Sequence, residues 1–539
     1  MTSWNRRDVL RAGMVSAVAG GFAGALPAAA GTRPLRLADS LPDPHRPAGT
    51  PDPSMPFEHI VIAMMENRSF DHYFGMLPQR GQPAADGFTF DAHGDPTNRN
   101  PLNGGYVPVF NVDGNPCGAA DSGSQSWNDT HIQMANGAMN GFAKTGPGSM
   151  AYYTEAMVPF YYSLAKTFTL NDRWFCSAPC QTYPNRRFLM AGTAYGNIST
   201  DTSSIYANGK FAAPPPNGTI FDRMNAHGVS WKNYFTDLAQ TLIIPSSFFN
   251  NPGHVVPIAD FFSDCAAGTL PSVSYVDPEF GAFAEVGGGL ESVKVPTFAT
   301  TGAILENQNG DEENPADVEL GETFVHQVVN AVINSPQWPK TLLVWFYDEH
   351  GGWYDHVTVP AAVKPDGIPP QLTARNVPGD YGIYGPRVPA VVVSPYSKPG
   401  QVTHVVHDHT STLATIEAKW NLPALTMRDA NAATMMDFLD PAKPALLHPP
   451  ALTPPNSLIP GELACLKGQV APPAVRHDAT SAVSPTTKRR RPSGGSTTPR
   501  QPGSPLAATG LDAGVATAAA GLLTAGAVLA RRTQTSSDE

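Results

Sequence analysis

Two short apolar runs in the chain are each followed at once by acidic and amide side chains. The runs cover residues 60–65 and 341–347, and the second is followed after three residues by Gly351 and Gly352. Continuous apolar runs of this length are typical of strands buried on both faces of a mostly parallel sheet. Such sheets bind ligands at the carboxyl ends of their strands, so the polar groups are candidates for a functional site.

The polar residues after the two runs suit a hard divalent cation. Glu66 and Asn67 follow the first run, and Asp348 and Glu349 follow the second. Hard cations prefer carboxylate and carbonyl oxygens as ligands. If the two strands are neighbours, the sequence predicts a divalent metal site of undetermined identity at these four residues. The alternative is an ordinary strand end followed by a capped helix start.

The rest of the pattern predicts an α/β domain with further strands and helices. We expect strands at residues 230–235, 273–276 and 390–394. Helical periodicity is present in residues 150–171 and 322–334, and a further helix is expected after residue 412. Residues 91–114 read as one long loop.

Chain length, net charge and cysteine content limit the domain organisation, the partners and the disulfide bonds that we expect. The 539 residues suffice for one large α/β domain with appendages, and the formal net charge of -11 argues against a nucleic-acid partner. Five cysteines permit two disulfide bonds at most, and Cys176 and Cys180 are close enough in sequence to form one.

The N-terminus has the pattern of an export signal. Arg6 and Arg7 precede a small-residue apolar region at 12–26, and alanines before Gly31 suit cleavage. We therefore expect residues 1–31 to be a twin-arginine signal peptide that carries the folded protein out of the cytoplasm. A cytoplasmic N-terminal helix is the alternative.

The C-terminus has the pattern of a second targeting signal. Residues 471–505 are rich in Pro, Ser, Thr, Ala and Arg, which predicts a disordered spacer. Leu506, Thr509 and Gly510 then resemble an LAxTG-type sortase signal, and an apolar stretch at 511–530 precedes two arginines. This resemblance implies sortase and peptidoglycan as partners and a location in the cell wall or at the cell surface, facing outward. A transmembrane anchor is the alternative.

Two longer motifs resemble a known enzyme family. ENRSFDHYFG at residues 66–75 and DEHGGWYDHV at 348–357 resemble signatures of the bacterial phospholipase C and acid phosphatase family, and the likeness extends over residues 56–422. It implies an alkaline-phosphatase-like fold, a three-layer α/β sandwich with a central, mostly parallel sheet. The domain is expected at residues 32–470, and residues 506–539 form the sorting segment.

The same resemblance assigns catalytic roles. Thr182 precedes Pro-Asn-Arg at a predicted helix start and aligns with the family's nucleophile, although by local sequence it reads as a helix cap. Asn67 is expected to stabilise phosphoryl charge, and His131 and His350 are the leading proton donors. Substrate contacts are expected from Asn185, Arg186, His356 and His409, whereas His404 and His407 are expected to be solvated.

Some positions depart from the family pattern. Gln125 and Glu313 stand where many relatives have His, and Asn140 stands for an Asp. We expect phospholipid hydrolysis of the phospholipase C type through a covalent phospho-threonine. The alternatives are an acid phosphatase that acts on phosphomonoesters and a non-catalytic binding module attached to the wall.

Overall fold

The structure is a computed structural model that describes residues 34–280, 310–314, 316–457 and 468–477. Residues 34–35 belong to an N-terminal unit, and the described residues from Arg36 onward form one compact unit. The predicted signal peptide and the sorting motif at Leu506, Thr509 and Gly510 lie outside the described residues. Within the described ranges, no helix is both long and apolar enough to cross a membrane.

Strands and helices alternate along the compact unit. The strands are β1 (His59–Met65), β2 (Arg99–Leu102), β3 (Gly105–Pro108), β4 (Phe110–Asn111), β5 (Ala151–Tyr152), β6 (Thr169–Asn171), β7 (Tyr206–Ala207), β8 (Lys210–Phe211), β9 (Trp231–Phe235), β10 (Val255–Pro257), β11 (Val273–Val276), β12 (Thr341–Tyr347), β13 (Ala390–Val393) and β14 (Val402–Thr403). The α-helices are α1 (Phe70–Phe74), α2 (Trp127–Met134), α3 (Phe142–Thr145), α4 (Pro159–Thr167), α5 (Thr182–Ala191), α6 (Ile220–Ala226), α7 (Pro245–Phe249), α8 (Ile258–Ala267), α9 (Val318–Ile333), α10 (Thr410–Trp420) and α11 (Met427–Ala430). Short 3-10 helices lie at Leu77–Gln79, Ala135–Gly137, Pro147–Met150, Thr202–Ser204, Gln240–Ile243, Trp338–Lys340 and Met435–Phe438.

A single eight-stranded sheet organises the unit. Its order is β10-β9-β11-β1-β12-β13-β6-β14. Only β13 runs against the other strands of this sheet, so the sheet is mostly parallel, as the sequence predicts. β1 lies between β11 and β12 and pairs with β12 over its full length, from His59 opposite Thr341 to Met65 opposite Tyr347.

Helices enclose the sheet because its central strands are apolar on both faces. Every residue of β12 is buried, and so is every residue of β1 after His59. One group of helices, α4, α8 and α9, packs on β9, β12 and β13, and a second group contains α5, α6, α10 and α11. Burial of each large aliphatic side chain in these layers contributes about 1.5–3 kcal/mol. The result is the expected three-layer α/β sandwich.

Two predicted elements differ from the structure. Residues 150–171 do not form one helix, because Pro159 starts α4 at a position that suits its fixed φ, and residues 169–171 join the sheet as β6. The predicted loop at 91–114 contains the hairpin of β2 and β3. Asn103 and Gly104 connect these strands with φ of 50° and 78°, the backbone that a tight hairpin turn favours.

Segments near both ends of the described part of the compact unit are tied to its body. The Asn421 side chain donates to the carbonyl oxygens of Asp43, Arg46 and Pro47. At the other end, Arg476 and Tyr106 exchange two backbone hydrogen bonds of 2.9 Å. Residues 471–477, which the sequence assigns to a disordered spacer, are therefore placed against the domain.

The suggested Cys176–Cys180 disulfide is not formed. Both cysteines are free and buried, as is Cys265, whereas Cys117 is disulfide-bonded. The Cys176 thiol instead donates to the carbonyl oxygen of Pro386 over 2.9 Å. Burial raises the pKa of both thiols well above the usual value, so they remain neutral packing groups.

Candidate active site

The carboxyl ends of β1 and β12 meet at one edge of the sheet. The backbone N–H of Asp348 donates to the Met65 carbonyl oxygen over 3.1 Å, which extends the pairing of the two strands by one residue. The N–H of Asn67 then donates to Oδ1 of Asp348 over 3.2 Å. The adjacency on which the predicted metal site depends is therefore confirmed.

Backbone conformation brings the two loops close together. Asn67 has φ of 68°, a left-handed conformation that Asn tolerates better than most residues. Gly351 has φ of 64°, and a Cβ atom built on it would lie 2.1 Å from the carbonyl oxygen of Asn67. Only glycine permits this approach, so Gly351 lets the two strand ends come together.

Five carboxylates gather at this edge. Oxygen atoms of Glu66, Asp311 and Glu313 lie within 4.8 Å of one another, and the neighbouring Asp348 and Glu349 are fully buried. Burial together with the charge of Glu66 raises the pKa of Asp348 to about 7. Burial and the neighbouring carboxylates raise the pKa values of Asp311 and Glu349 well above the usual range. Such a group of like charges is suited to hold cations.

Several buried polar atoms at this edge have no hydrogen-bond partner among the residues that the structure describes. They are both side-chain polar atoms of Asn67, Oγ1 of Thr182, Oδ2 of Asp311 and Oε1 of Glu349. A buried polar atom without a partner costs about 1–3 kcal/mol, so a cluster of them points to a bound group that satisfies them. The donors are oxygens apart from the Asn67 amide nitrogen, which fits a hard divalent cation beside an oxyanion.

Thr182 is the first residue of helix α5. The preceding Gln181 occupies the cap position, and the Thr182 hydroxyl is buried and makes no hydrogen bond to any described residue. Thr182 is therefore not the helix cap that its local sequence suggests. Arg186 lies one turn later on the same helical face, and its Nε is 3.3 Å from Oδ2 of Asp348. This face of α5 is thus turned toward the carboxylates, at the helix end where backbone N–H groups favour anions.

Arg186 has a side-chain donor without a partner among the described residues, whereas the polar side-chain atoms of Asn185 are hydrogen-bonded. Arg186 is buried, its Nη2 donates to the Met65 carbonyl oxygen over 3.2 Å, and its Nη1 has no partner. The carboxamide oxygen of Asn185 accepts from the N–H of Ala178, and its nitrogen donates to the carbonyl oxygens of Ala178, Cys180 and Gln181. Through these bonds Asn185 holds the loop before Thr182 in place. Its predicted contact with the substrate stays a prediction.

His350 and His131 are both neutral and each has one ring nitrogen left over. Nε2 of His350 lies 2.7 Å from Oε1 of Gln133, and burial lowers the pKa of His350 to about 3. The Gln133 nitrogen donates to Ser124 and Thr145, so its oxygen faces His350, which must donate from Nε2. His131 is fixed in the opposite tautomer, because its Nδ1 lies 2.7 Å from the Trp127 carbonyl oxygen. Burial lowers the pKa of His131 too.

His409 positions Asp348. Its Nε2 lies 2.6 Å from the Asp348 carbonyl oxygen, and its Nδ1 accepts from the Trp174 indole N–H over 3.3 Å. Burial lowers the pKa of His409 to about 4, so the ring is neutral. Both ring nitrogens are engaged within the protein, and a substrate contact by His409 stays a prediction.

His356 belongs to a separate charged cluster. Its Nδ1 is 2.7 Å from Asp71 and its Nε2 is 3.2 Å from Asp86, while Arg387 pairs with both Asp71 and Asp355. The attraction of the aspartates outweighs burial and raises the pKa of His356 to about 10. His356 is therefore a partly buried cation in an ion network, and its predicted substrate contact is untested.

The structure corrects the expectation for His407, adds Asp311 and Gln133 to the residues that the sequence singles out, and places Glu313 among the carboxylates. His407 is buried, not solvated, and its Nε2 is 3.0 Å from Asp437; the more exposed His404 lies 2.8 Å from Asp172. Asp311 and Glu313 join the carboxylates, and Gln133 orients His350. The acidic run Asp-Glu-Glu at 311–313 was the available signal, but its distance along the chain from Glu66 concealed the contact.

Comparisons with known proteins identify a family, similar sequences and a solved structure. A profile described as the Phosphoesterase family matches residues 57–423. The chain is 30% identical over 446 residues to non-specific phospholipase C6 of Arabidopsis thaliana, covering 75% of this chain and 76% of that protein. It is 33% identical over 458 residues to non-hemolytic phospholipase C of Burkholderia pseudomallei, covering 78% of this chain but only 62% of that protein. A solved structure of a protein in the alkaline phosphatase superfamily from Vibrio parahaemolyticus matches with a TM-score of 0.31 and 10% identity over 70% of this chain and 79% of that one.

Proposed function

We propose, from the premise that the chain belongs to the Phosphoesterase family, that it cleaves phospholipids as a phospholipase C does, with Thr182 as the nucleophile. It is a phosphoric ester hydrolase, and the proposal concerns its substrate and its route. The observation that carries the proposal is the buried hydroxyl of Thr182 at the start of α5, which has no partner within the described ranges. It lies on the helix face that contacts Asp348 through Arg186.

The oxygen donors at the edge of the sheet fit a divalent cation, whose identity we do not assign. Glu66, Asn67, Asp348 and Glu349 would hold it, and such a cation when bound neutralises phosphoryl charge and lowers the pKa of a nearby hydroxyl. Threonine needs this help, because an unactivated hydroxyl is a weak nucleophile at neutral pH.

The proposed hydrolysis consists of two successive displacements at phosphorus, in which residues of the chain take part. Thr182 Oγ1 attacks phosphorus, the bond to the diacylglycerol oxygen breaks, and the phosphoryl head group is left on Thr182. Water then attacks the same phosphorus, which releases the phosphorylated head group and restores the hydroxyl. The free Nδ2 of Asn67 and Nη1 of Arg186 can donate to phosphoryl oxygens, and the start of α5 adds a favourable dipole.

The two histidines receive protons before they donate them. The tautomers of His131 and His350 leave a lone pair on Nε2 and on Nδ1, respectively. In the described part of the chain both atoms lack a hydrogen-bond partner, and Nδ1 of His350 lies 3.4 Å from Oε2 of Glu349. In the proposal one of them accepts the proton that Thr182 releases and passes it to the departing alkoxide. The predicted role as general acid is thus preceded by a role as base.

Charge favours a diester over a monoester. A phosphodiester carries one negative charge at neutral pH, whereas a phosphomonoester carries close to two. The carboxylate of Glu313 beside Glu66 and Asp311 increases the repulsion that a dianion meets. The names of the similar proteins, which are phospholipases C, support the same choice.

We also propose that the enzyme works outside the cytoplasm. Support comes from the sequence alone: the twin-arginine pattern at Arg6 and Arg7, and the sortase-like motif at Leu506, Thr509 and Gly510. In this proposal sortase links Thr509 to peptidoglycan. Detection of the full chain in the cell-wall fraction, and its loss from that fraction on Thr509→Ala, tests the anchor; unchanged distribution contradicts it.

A substrate comparison tests the proposed activity. The full chain is assayed with p-nitrophenyl phosphorylcholine and p-nitrophenyl phosphate, with and without a chelator. We expect hydrolysis mainly of the choline diester and loss of activity in the chelator. Preference for the monoester would make the protein a phosphatase, and inactivity on both esters by protein that binds no metal would leave the wall-attached binding module.

A further inference from the structure

We propose that Tyr183, Arg187 and Tyr195 form a subsite beside Thr182 for an acidic group that the head group of the substrate carries beyond the scissile phosphate. The inference rests on the proposed function, because in that function the head group stays on Thr182 after the first displacement. It names a class of substrate that the proposed function leaves open, namely phospholipids with an acidic head group.

Arg187 is a buried cation whose contacts are all with neutral groups. Its side chain is 1% exposed, and its Nη2 donates to the carbonyl and hydroxyl oxygens of Ser204 over 2.8 and 3.1 Å. The same nitrogen donates to the Ile243 carbonyl oxygen over 3.4 Å. Burial lowers the pKa of Arg187, yet a guanidinium remains protonated at neutral pH. No carboxylate within the described ranges forms an ion pair with it.

Three other buried arginines each have an acidic partner, which Arg187 lacks among the described residues. The pairs are Arg186 with Asp348, Arg387 with Asp71 and Asp355, and Arg428 with Asp408. A buried charge without a counter-ion is strongly unfavourable, so buried charges in proteins are normally paired. An acidic ligand would supply the counter-ion of Arg187.

Three buried hydrogen-bond donors of this group have no acceptor in the described part of the chain. They are Nε of Arg187 and the hydroxyls of Tyr183 and Tyr195. Burial raises the pKa of both phenols, so their hydroxyls stay protonated and can donate. The guanidinium carbon of Arg187 lies 4.8 Å from the centre of the Tyr195 ring. A carboxylate or phosphate only accepts hydrogen bonds when it is ionised, so an oxyanion suits this set of donors.

Helix α5 places the subsite next to the nucleophile. Tyr183 and Arg187 are four residues apart, so they share one face of the helix. Thr182 and Arg186 occupy the neighbouring face, about 100° away, which is turned toward Asp348. A head group attached to Thr182 can therefore extend across the first turns of α5 toward the guanidinium of Arg187.

The loop that contains Tyr195 and Ser204 is tied to the start of α5. The N–H of Tyr183 donates to Oγ1 of Thr200 over 3.3 Å, and the N–H of Thr200 donates to Oε1 of Gln181 over 3.0 Å. Arg187 holds the far end of the loop through Ser204. These bonds fix the loop against the helix, so the donors of the subsite are positioned before a ligand arrives.

The test compares two phospholipids that differ by one carboxylate, phosphatidylserine and phosphatidylethanolamine. The full chain hydrolyses each in mixed micelles, and kcat/KM is measured. We expect the wild type to favour phosphatidylserine by about 10-fold or more, the effect of one charge-assisted hydrogen bond, and Arg187→Gln to lose the preference. The control, Arg223→Gln, removes a positive charge from the exposed ion pair with Asp39 and should keep the preference. Equal kcat/KM values for the wild type overturn the subsite, as does an undiminished preference in folded Arg187→Gln.

A binding measurement without turnover decides the proposal even if Arg187→Gln does not fold. The full chain is titrated with O-phosphoserine and O-phosphoethanolamine in a calorimeter. We expect O-phosphoserine to bind the wild type about 10-fold more tightly or better, and Tyr195→Phe, which keeps the ring but removes one donor, to reduce this advantage by about 2- to 10-fold. Equal affinities of the wild type for the two compounds overturn the subsite.

The two measurements separate the subsite from the proposed function. Hydrolysis of both phospholipids with equal kcat/KM overturns the subsite alone. Tighter binding of O-phosphoserine by a chain that hydrolyses neither phospholipid supports the subsite and overturns the proposed phospholipase C activity alone.

Discussion

The backbone N–H of Asn67 donates a 3.2 Å hydrogen bond to the carboxylate of Asp348, across 281 residues of sequence. The bond joins the loops that follow two neighbouring parallel strands, and both polar side-chain atoms of Asn67 have no partner among the residues described. Asn67 is thereby fixed through its backbone while its side chain remains available to a ligand. The candidate site depends on this division of roles.

The ion pair between Arg186 and Asp348 should be essential to stability. Both side chains are buried, so Arg186→Met leaves a buried carboxylate without its guanidinium. We expect a loss of about 3–5 kcal/mol in the free energy of unfolding, measured by urea denaturation. Arg223→Met is the control, since its partner Asp39 is 66% exposed and such pairs contribute about 0–1 kcal/mol. Equal losses in the two variants would contradict the account.

Close approach of the two loops should not tolerate a methyl group. In Gly351→Ala the new Cβ would lie 2.1 Å from the Asn67 carbonyl oxygen. We expect hydrolysis to fall at least about 100-fold, because small displacements of catalytic groups have effects of that size. Gly104→Ala has a similar positive φ but open space around it, so it should lose only about 1–2 kcal/mol of stability and keep its activity. Comparable activity in the two variants would be the contrary result.

The ion network of His356 predicts a dependence of stability on pH. Its pKa is raised to about 10 in the folded protein from the usual 6.5 or so, so the contribution is fully present below about pH 6.5 and is lost as the pH rises through 10. The wild type should therefore exceed His356→Gln in stability by up to about 4 kcal/mol at low pH, and the difference should vanish near pH 10. Urea denaturation of both proteins measures it. A pH-independent difference would show that the ring acts by packing alone.

Thr182 should be dispensable for folding but not for turnover. Its hydroxyl makes no hydrogen bond to the described residues, so Thr182→Ala removes no hydrogen bond that the structure shows. We expect ester hydrolysis to fall by at least about 1000-fold and the midpoint of thermal unfolding to change little. Thr182→Ser retains a hydroxyl and should keep measurable activity. Inactivity of both variants, together with loss of fold, would assign Thr182 a structural role instead.

The sequence predicted the central strands well because their burial leaves a plain signature. The continuous apolar run of β12 marks both its ends, and the polar residues that follow β1 mark the site edge. The hairpin at Asn103 and Gly104 lies in a predicted loop, although Asn-Gly is a residue pair typical of tight hairpin turns. The helix expected at 150–171 was too long because local periodicity does not reveal which residues join a sheet.

The approach of the acidic run at 311–313 to Glu66 could not be predicted from the sequence. Asp311 and Glu313 lie far along the chain from Glu66, and no periodicity links them. Their approach depends on Glu312, which three tyrosines from separate elements hold in a left-handed conformation. Contacts of this kind arise from tertiary packing. In the same way, the tautomers of His131 and His350 depend on acceptors that only the folded chain supplies.

The most direct test of the central claim is to trap the covalent intermediate. Wild-type enzyme is mixed with excess p-nitrophenyl phosphorylcholine, quenched in acid within the first turnover, digested and analysed by mass spectrometry. We expect the phosphorylcholine group on Thr182, in step with a burst of p-nitrophenol, and no such adduct in Thr182→Ala. Active enzyme that forms no adduct, or that carries it on another residue, would contradict the assignment of Thr182 as the nucleophile.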